Sequence, residues 1–127
     1  MIKENKVKFK KFNKMVKEEM KALGIDVWNG VDIEFCKTQE DIDYAMRVDS
    51  EWADRTEPEM FDFMMLMDGN NNLIAYVVTV CVDERNAAKL FGVDRVVFLD
   101  TVKRKDISRL LKELGRPTED GLFECYC

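Results

Sequence analysis

Histidine is absent from all 127 residues. Without an imidazole the chain can assemble neither a Ser-His-Asp triad nor a Cys-His pair, and only carboxylate, lysine or tyrosine side chains are left as bases. The four cysteines are Cys36, Cys81, Cys125 and Cys127. They form no Cys-x-x-Cys pair, and a zinc centre would need more soft ligands than the sequence offers, so no metal site is expected. Cys36 and Cys81 sit inside apolar strand patterns and read as buried thiols. Cys125 and Cys127, two apart on an expected strand, share one side of it; free thiols are the ordinary reading, a Cys-x-Cys redox pair the alternative. No Gly-x-Gly run offers an anion cradle. No apolar run approaches the roughly 20 residues of a membrane span. The lysine-rich N-terminus lacks the apolar block of a secretory signal, so the cytoplasm is the expected compartment. What remains, 46% apolar and 35% charged residues, is the composition of one ordinary globular domain.

Charge is spread unevenly. Residues 1–23 hold eight lysines against three glutamates, about +5, which leaves about −10 for the rest of a chain whose net charge is −5. Within the basic segment Phe9, Phe12, Val16, Met20 and Leu23 recur every three or four residues, the stripe of an amphipathic helix ended by Gly24. Lys8, Lys10, Lys11, Lys14 and Lys17 occupy its other faces. Three roles compete for this helix over residues 1–24: docking on its own acidic body, binding nucleic acid through the lysines, or pairing with a partner protein or a second copy. No arginine or exposed aromatic supports base contacts, which ranks nucleic acid last.

The centre of the chain is the stretch Phe61–Val82. Two apolar runs flank Asp68-Gly69-Asn70-Asn71-Asn72, where Gly and Asn tolerate the positive φ of a tight reversal. The second run, Leu73–Val82, is mostly β-branched or aromatic and nearly free of charge, which suits a strand covered on both faces. Ahead of the hairpin, Val31–Cys36 alternates as a first strand. Thr38 then caps a helix whose inward stripe is expected to be Ile42, Ala45, Val48 and Trp52, ending before Pro58. After the hairpin, a short helix from Asp83 through Ala87, Ala88, Leu90 and Phe91 to Gly92 is expected, then a strand over Val93–Val102. A further helix starts at Asp106 with Ile107, Leu110, Leu111 and Leu114 on one face and stops at Gly115. Glu119-Asp120-Gly121 turns into a last strand, Leu122–Cys127. This order predicts a single α+β domain, residues 31–127 forming a mixed, mostly antiparallel sheet of about five strands covered by helices.

Ile33-Glu34-Phe35-Cys36-Lys37-Thr38-Gln39-Glu40-Asp41-Ile42 is similar to the first strand and helix of the GNAT acetyltransferases. The Asp68-Gly69 hairpin resembles that family's second and third strands. Val93–Asp100 followed by Ile107–Gly115 resembles its late strand and the helix that ends in Leu-Gly, and divergent phage proteins of this fold carry similar C-terminal halves. The resemblance covers most of residues 31–127 and implies a shortened GNAT-like fold. The family grips the pyrophosphate of acyl-coenzyme A with a glycine-rich loop at a helix start, where backbone N–H groups close on phosphate oxygens. Here Asp83-Glu84-Arg85-Asn86 stands between Val82 and Ala87, with two acids and no glycine. No catalytic residue of the family can be carried over.

The acids Asp49, Glu51, Asp54, Glu57, Glu59 and Asp62 outnumber the lone Arg55 between positions 49 and 62. A solvated face is the ordinary reading; the sharper one is a patch, Asp49, Glu51, Asp54, Glu57 and Glu59, that meets a basic partner. Tyr44, Tyr76 and Tyr126 read as packing residues. Met60, Met64, Met65 and Met67 read as core filling, with an adaptable binding surface as the alternative. The expectation is a non-catalytic, cytoplasmic protein-binding regulator without cofactor, such as a phage- or mobile-element-encoded inhibitor of a host or defence protein. Its expected partner has a basic surface; no membrane is involved, and a homodimer is left open. The alternatives are a GNAT-type acyltransferase using acetyl-CoA and nucleic-acid binding through the N-terminal lysines.

Overall fold

The computed structural model describes residues 3–22, 32–56, 60–85, 88–114, 116–117 and 123–126, with side chains over 10–11, 13–22, 32–56, 60–81 and 92–114. The expectations at Leu23, Gly24, Trp28-Asn29-Gly30, Glu57, Pro58, Glu59, Gly115, Glu119-Asp120-Gly121 and Cys127 lie outside these residues, as do the side chains of Lys8, Phe9, Phe12, Cys125 and Tyr126.

The chain runs α1 (Lys3–Ala22), β1 (Asp32–Cys36), α2 (Gln39–Thr56), β2 (Phe61–Met67), β3 (Leu73–Arg85), β4 (Ala88–Leu99), α3 (Arg104–Lys112), β5 (Arg116–Pro117) and β6 (Phe123–Tyr126). It is an α+β fold with one mixed sheet in the order β2-β3-β4-β6-β5, and β1 lies parallel to β4. The expected count of about five strands does not hold. β1 to β4 carry the body of the sheet, and the short β5 and β6 extend it beside the first residues of β4.

β3 takes the central place its sequence predicts, paired antiparallel with β2 on one side and β4 on the other. Its alternate side chains enter two cores. Ala75 and Val77 face α1 and α3, where Val16, Met20, Ile107, Leu110 and Leu111 are buried with Ile33, Val96 and Phe98. Tyr76 and Val78 face α2, buried with Ile42, Leu73 and Val97. Fully burying a leucine, valine or isoleucine contributes about 1.5–3 kcal/mol, so a helix with one strict apolar stripe is held by that stripe. The stripe of α1 faces inward: Val16 and Met20 are in the core, and Arg104 of α3 binds Glu18 at 2.7 Å and Glu19 at 3.5 Å. The helix packs on its own domain.

The hairpin turn is closed by a side chain. The Asp68 carboxylate accepts from the Asn70 and Asn72 N–H groups at 2.8 and 3.0 Å. The positive φ, 63°, falls on Asn71 and not on Gly69.

Two expectations need correction. The helix expected over Asp83–Phe91 is strand where it is described: β3 continues to Arg85 and β4 begins at Ala88, with Asp83 opposite Leu90 and Arg85 opposite Ala88. A nine-residue helix is marginal alone and needs its own packing partner, whereas prolonging two strands already paired satisfies the backbone at once. Gly92, expected as a helix stop, lies in β4 opposite Val80, beside a register shift at Val78/Thr79, a usual place for a strand glycine. The second correction is small: α3 begins at Arg104, and Asp106 is its third residue, accepting the Lys103 N–H at 3.0 Å as the acid of a capping arrangement does.

Candidate functional site

Thr38 opens α2 as expected, its hydroxyl accepting the Asp41 N–H at 3.1 Å. The inward face of the helix differs from the expected one. Ile42 and Ala53 are buried, and Ala45 and Met46 pack beside Ile42, whereas Val48 is exposed and Tyr44 and Trp52 are 60% and 45% exposed. Both sets keep helical spacing; the sheet selects the set that includes Asp49.

Asp49 is therefore removed from the acidic patch in which the sequence placed it. Its carboxylate, 14% exposed, accepts the Tyr76 hydroxyl at 2.6 Å and Arg95 Nη1 at 2.6 Å. Arg95 also binds Glu34 through Nη2, and its Nε faces Asp32 Oδ2 at 3.4 Å without a hydrogen-bond partner. Three carboxylates thus bracket one guanidinium under α2. Burial, then the hydrogen bond to Asp49, pushes the Tyr76 phenol far above its ordinary range. Burial, then Glu34, raises Asp32. For Arg95, burial works against the charge, but the Glu34 hydrogen bond and the Asp49 charge more than offset it, and its pKa rises. A phenol held protonated and a carboxylate already engaged by two donors are poorly set to act as base or nucleophile. The cluster ties α2 to β1, β3 and β4.

Sequence reasoning missed this cluster, although one signal was present. A tyrosine inside an otherwise apolar central strand needs a partner for its hydroxyl, and Tyr76 is such a residue, bonded here to Asp49 and not a packing residue alone.

Of the remaining patch, Glu51 and Asp54 are exposed on the outer side of α2, and Glu57 and Glu59 lie outside the described residues. The outer side also carries Tyr44, Val48 and Trp52, four residues apart. The Trp52 ring rests edge-on against Phe61 at 4.9 Å, and Arg47 lies 5.2 Å over the Tyr44 ring. On α1, Lys10, Lys11, Lys14 and Lys17 are exposed, with Lys14 4.0 Å from Glu18.

Cys36 and Cys81 are half-buried free thiols. Burial, then Asp41, raises the Cys36 pKa, which keeps the thiol protonated and slow to react. The segment Asp83–Arg85, where the resemblance would put the pyrophosphate loop before a helix, is strand. Among the described residues no cluster of cysteines and carboxylates could hold a metal ion, and no helix is long and apolar enough to cross a membrane. Comparison with protein-family models, curated proteins and solved structures finds no match.

Proposed function

We propose that this chain acts by binding another protein through the outer face of α2 and carries out no chemistry of its own. The observation that carries this reading is the stripe Tyr44, Val48 and Trp52, exposed on a helix whose buried residues are Ile42 and Ala53. Aromatic residues at such a position form the anchors of protein interfaces. Contact with Phe61 already orders the Trp52 ring, which lowers the entropy cost of docking. Glu51 and Asp54 beside the stripe favour a partner with a basic rim. A phage- or mobile-element-encoded inhibitor of a host or defence protein has this character, in keeping with the resemblance to phage proteins.

The test is capture of a defined partner by the wild type and by two variants, Tyr44→Ala/Trp52→Ala and Glu51→Lys/Asp54→Lys. The charge-reversed variant, changed only at exposed side chains, should melt close to wild type, and the aromatic one, which loses the Trp52–Phe61 contact, should be about 1 kcal/mol less stable. Both should lose capture, the charge-reversed one most clearly at low salt. Equal capture by all three removes α2 from the account. The acyltransferase alternative has its own measurement: acetyl-CoA at a hundred times its dissociation constant would add about 2.7 kcal/mol of stability. A melting-temperature rise of that kind would replace the binding reading.

A further inference from the structure

The sheet has three free edges among the described residues, and two of them are guarded. β1 has five residues and exposes Asp32 and Glu34. β5 has two residues, one of them Pro117. Shortness, charge and proline are the usual means of keeping an edge from pairing. β2 has none of them: Phe-Asp-Phe-Met-Met-Leu-Met is seven residues long, with a single charge and neither lysine nor proline.

The direction of its free backbone groups follows from one bond. The Cys81 N–H donates to the Met60 carbonyl at 2.7 Å, which makes Met60 and Cys81 a hydrogen-bonded pair. In an antiparallel ladder such pairs alternate, so with Phe61 opposite Val80 the groups of Asp62, Met64 and Leu66 turn to β3. Those of Phe61, Phe63 and Met65 turn away from the sheet. Phe63 bears this out: its N–H is held by the Asp62 carboxylate at 2.9 Å and not by a strand. On the α2 side of this edge Met65 and Met67 stand 52% and 40% exposed.

The geometry points to a second copy of this chain as the occupant of the edge, its β2 pairing antiparallel with this β2 about a two-fold axis at Met64. In that register the outward groups of Phe63 meet those of Met65 in the second copy, and Met64 meets its twin in a non-hydrogen-bonded pair. Each exposed methionine gains a phenylalanine neighbour, Met65 beside Phe63 and Met67 beside Phe61, a favourable sulfur–aromatic contact. Asp62 falls opposite Leu66, so the strand's one charge never opposes itself. Pairing moves the Phe63 N–H from the Asp62 carboxylate to the Met65 carbonyl of the second copy. The carboxylate, exposed on the strand, returns to water, and the apolar pattern of the other six residues matches itself. The contact uses the edge of the sheet and not the outer face of α2, so it stands or falls independently of the function proposed above.

Sedimentation velocity of the full chain over rising concentration tests it. The expected result is a concentration-dependent dimer for wild type, weakened about tenfold or more by Met65→Lys and by Met67→Lys, with circular dichroism unchanged, and with melting unchanged at dilutions where wild type is monomeric, because both side chains are exposed. Opposed Cα atoms about 4.5 Å apart in the Met64 pair lie within disulfide reach. Met64→Cys should therefore give a covalent dimer on oxidation with diamide, beyond that of wild type or Met65→Cys treated alike. A chain monomeric at every concentration, or a dimer indifferent to both lysine variants, overturns the proposal. So does cross-linking through Met65→Cys in preference to Met64→Cys. A monomer that binds an added strand peptide at β2 would instead make the occupant a different protein.

Discussion

Asp49 is the residue on which the interior polar chemistry turns. It accepts from Tyr76 and Arg95 at once, so its neighbours lose unequal amounts on substitution. Tyr76→Phe removes one hydrogen bond and should cost about 1–1.5 kcal/mol. Asp49→Ala strands a part-buried guanidinium and a buried hydroxyl together and should cost about 3 kcal/mol or more; urea unfolding measures both. Two aspartates respond to acid in opposite senses. Asp68, lowered first by the Asn72 N–H and then by the Asn70 N–H, contributes stability above its unfolded value of 3.8 that is lost as pH falls through the lower folded value. Asp32, raised by burial and Glu34, does the reverse: its cost grows as pH rises from 3.8 through the higher folded value and is relieved on acidification. Carboxyl NMR titration should place the Asp68 midpoint below 3.8 and the Asp32 midpoint above it. The turn separates two neighbours in the same way. A Cβ at Gly69 meets nothing within 4 Å, so Gly69→Ala should be neutral or stabilising by up to about 1 kcal/mol. Asn71, at φ 63°, should lose about 1 kcal/mol as Asn71→Val.

At the level of elements, each helix is fixed by one stripe, and the stripes differ in how openly they were written. α3 has a single arrangement: Ile107, Leu110, Leu111 and Leu114 are apolar, their surroundings are charged, and all four are buried. α2 offered two arrangements, and the better-looking one, with Val48 and Trp52, faces outward. The inward one contains an aspartate, whose place inside becomes favourable only once Tyr76 and Arg95 are there to meet it. α1 makes its own test. Met20→Ala removes a buried side chain that joins α1 to the core shared with α3 and should cost about 2–5 kcal/mol. Lys11→Ala, at an exposed position, should change stability by no more than about 0.5 kcal/mol. Thermal melts of the two separate packing from charge.

Across the whole molecule, lysines line α1, and the acids of helix and body alike are divided between ion pairs and open surface. Glu18 and Glu19 are taken by Arg104 and Asp49 by Arg95, leaving Glu51 and Asp54 exposed beside Trp52. Binding through that face should weaken as ionic strength rises, since exposed charges are screened over about 8–10 Å at 0.10–0.15 M salt. Trp52→Ala should reduce affinity at every salt concentration, because its contribution is apolar. Calorimetric titration of the partner at two salt concentrations distinguishes the contributions.

Periodicity and turn chemistry in the sequence determined the α+β class, the hairpin at Asp68–Asn72, the central place of Leu73–Val82 and the buried face of α3. Each depends on residues close together in the chain, whose pattern admits one arrangement. Only the tertiary structure decided that Asp83–Arg85 and Ala88–Phe91 extend two strands, that α2 turns Asp49 inward and Trp52 outward, and that β2 is an open edge among the described residues. Those outcomes depend on what lies across the sheet. A segment of ambiguous propensity takes the conformation in which distant neighbours satisfy its backbone and its charges, and a local pattern does not record who those neighbours are.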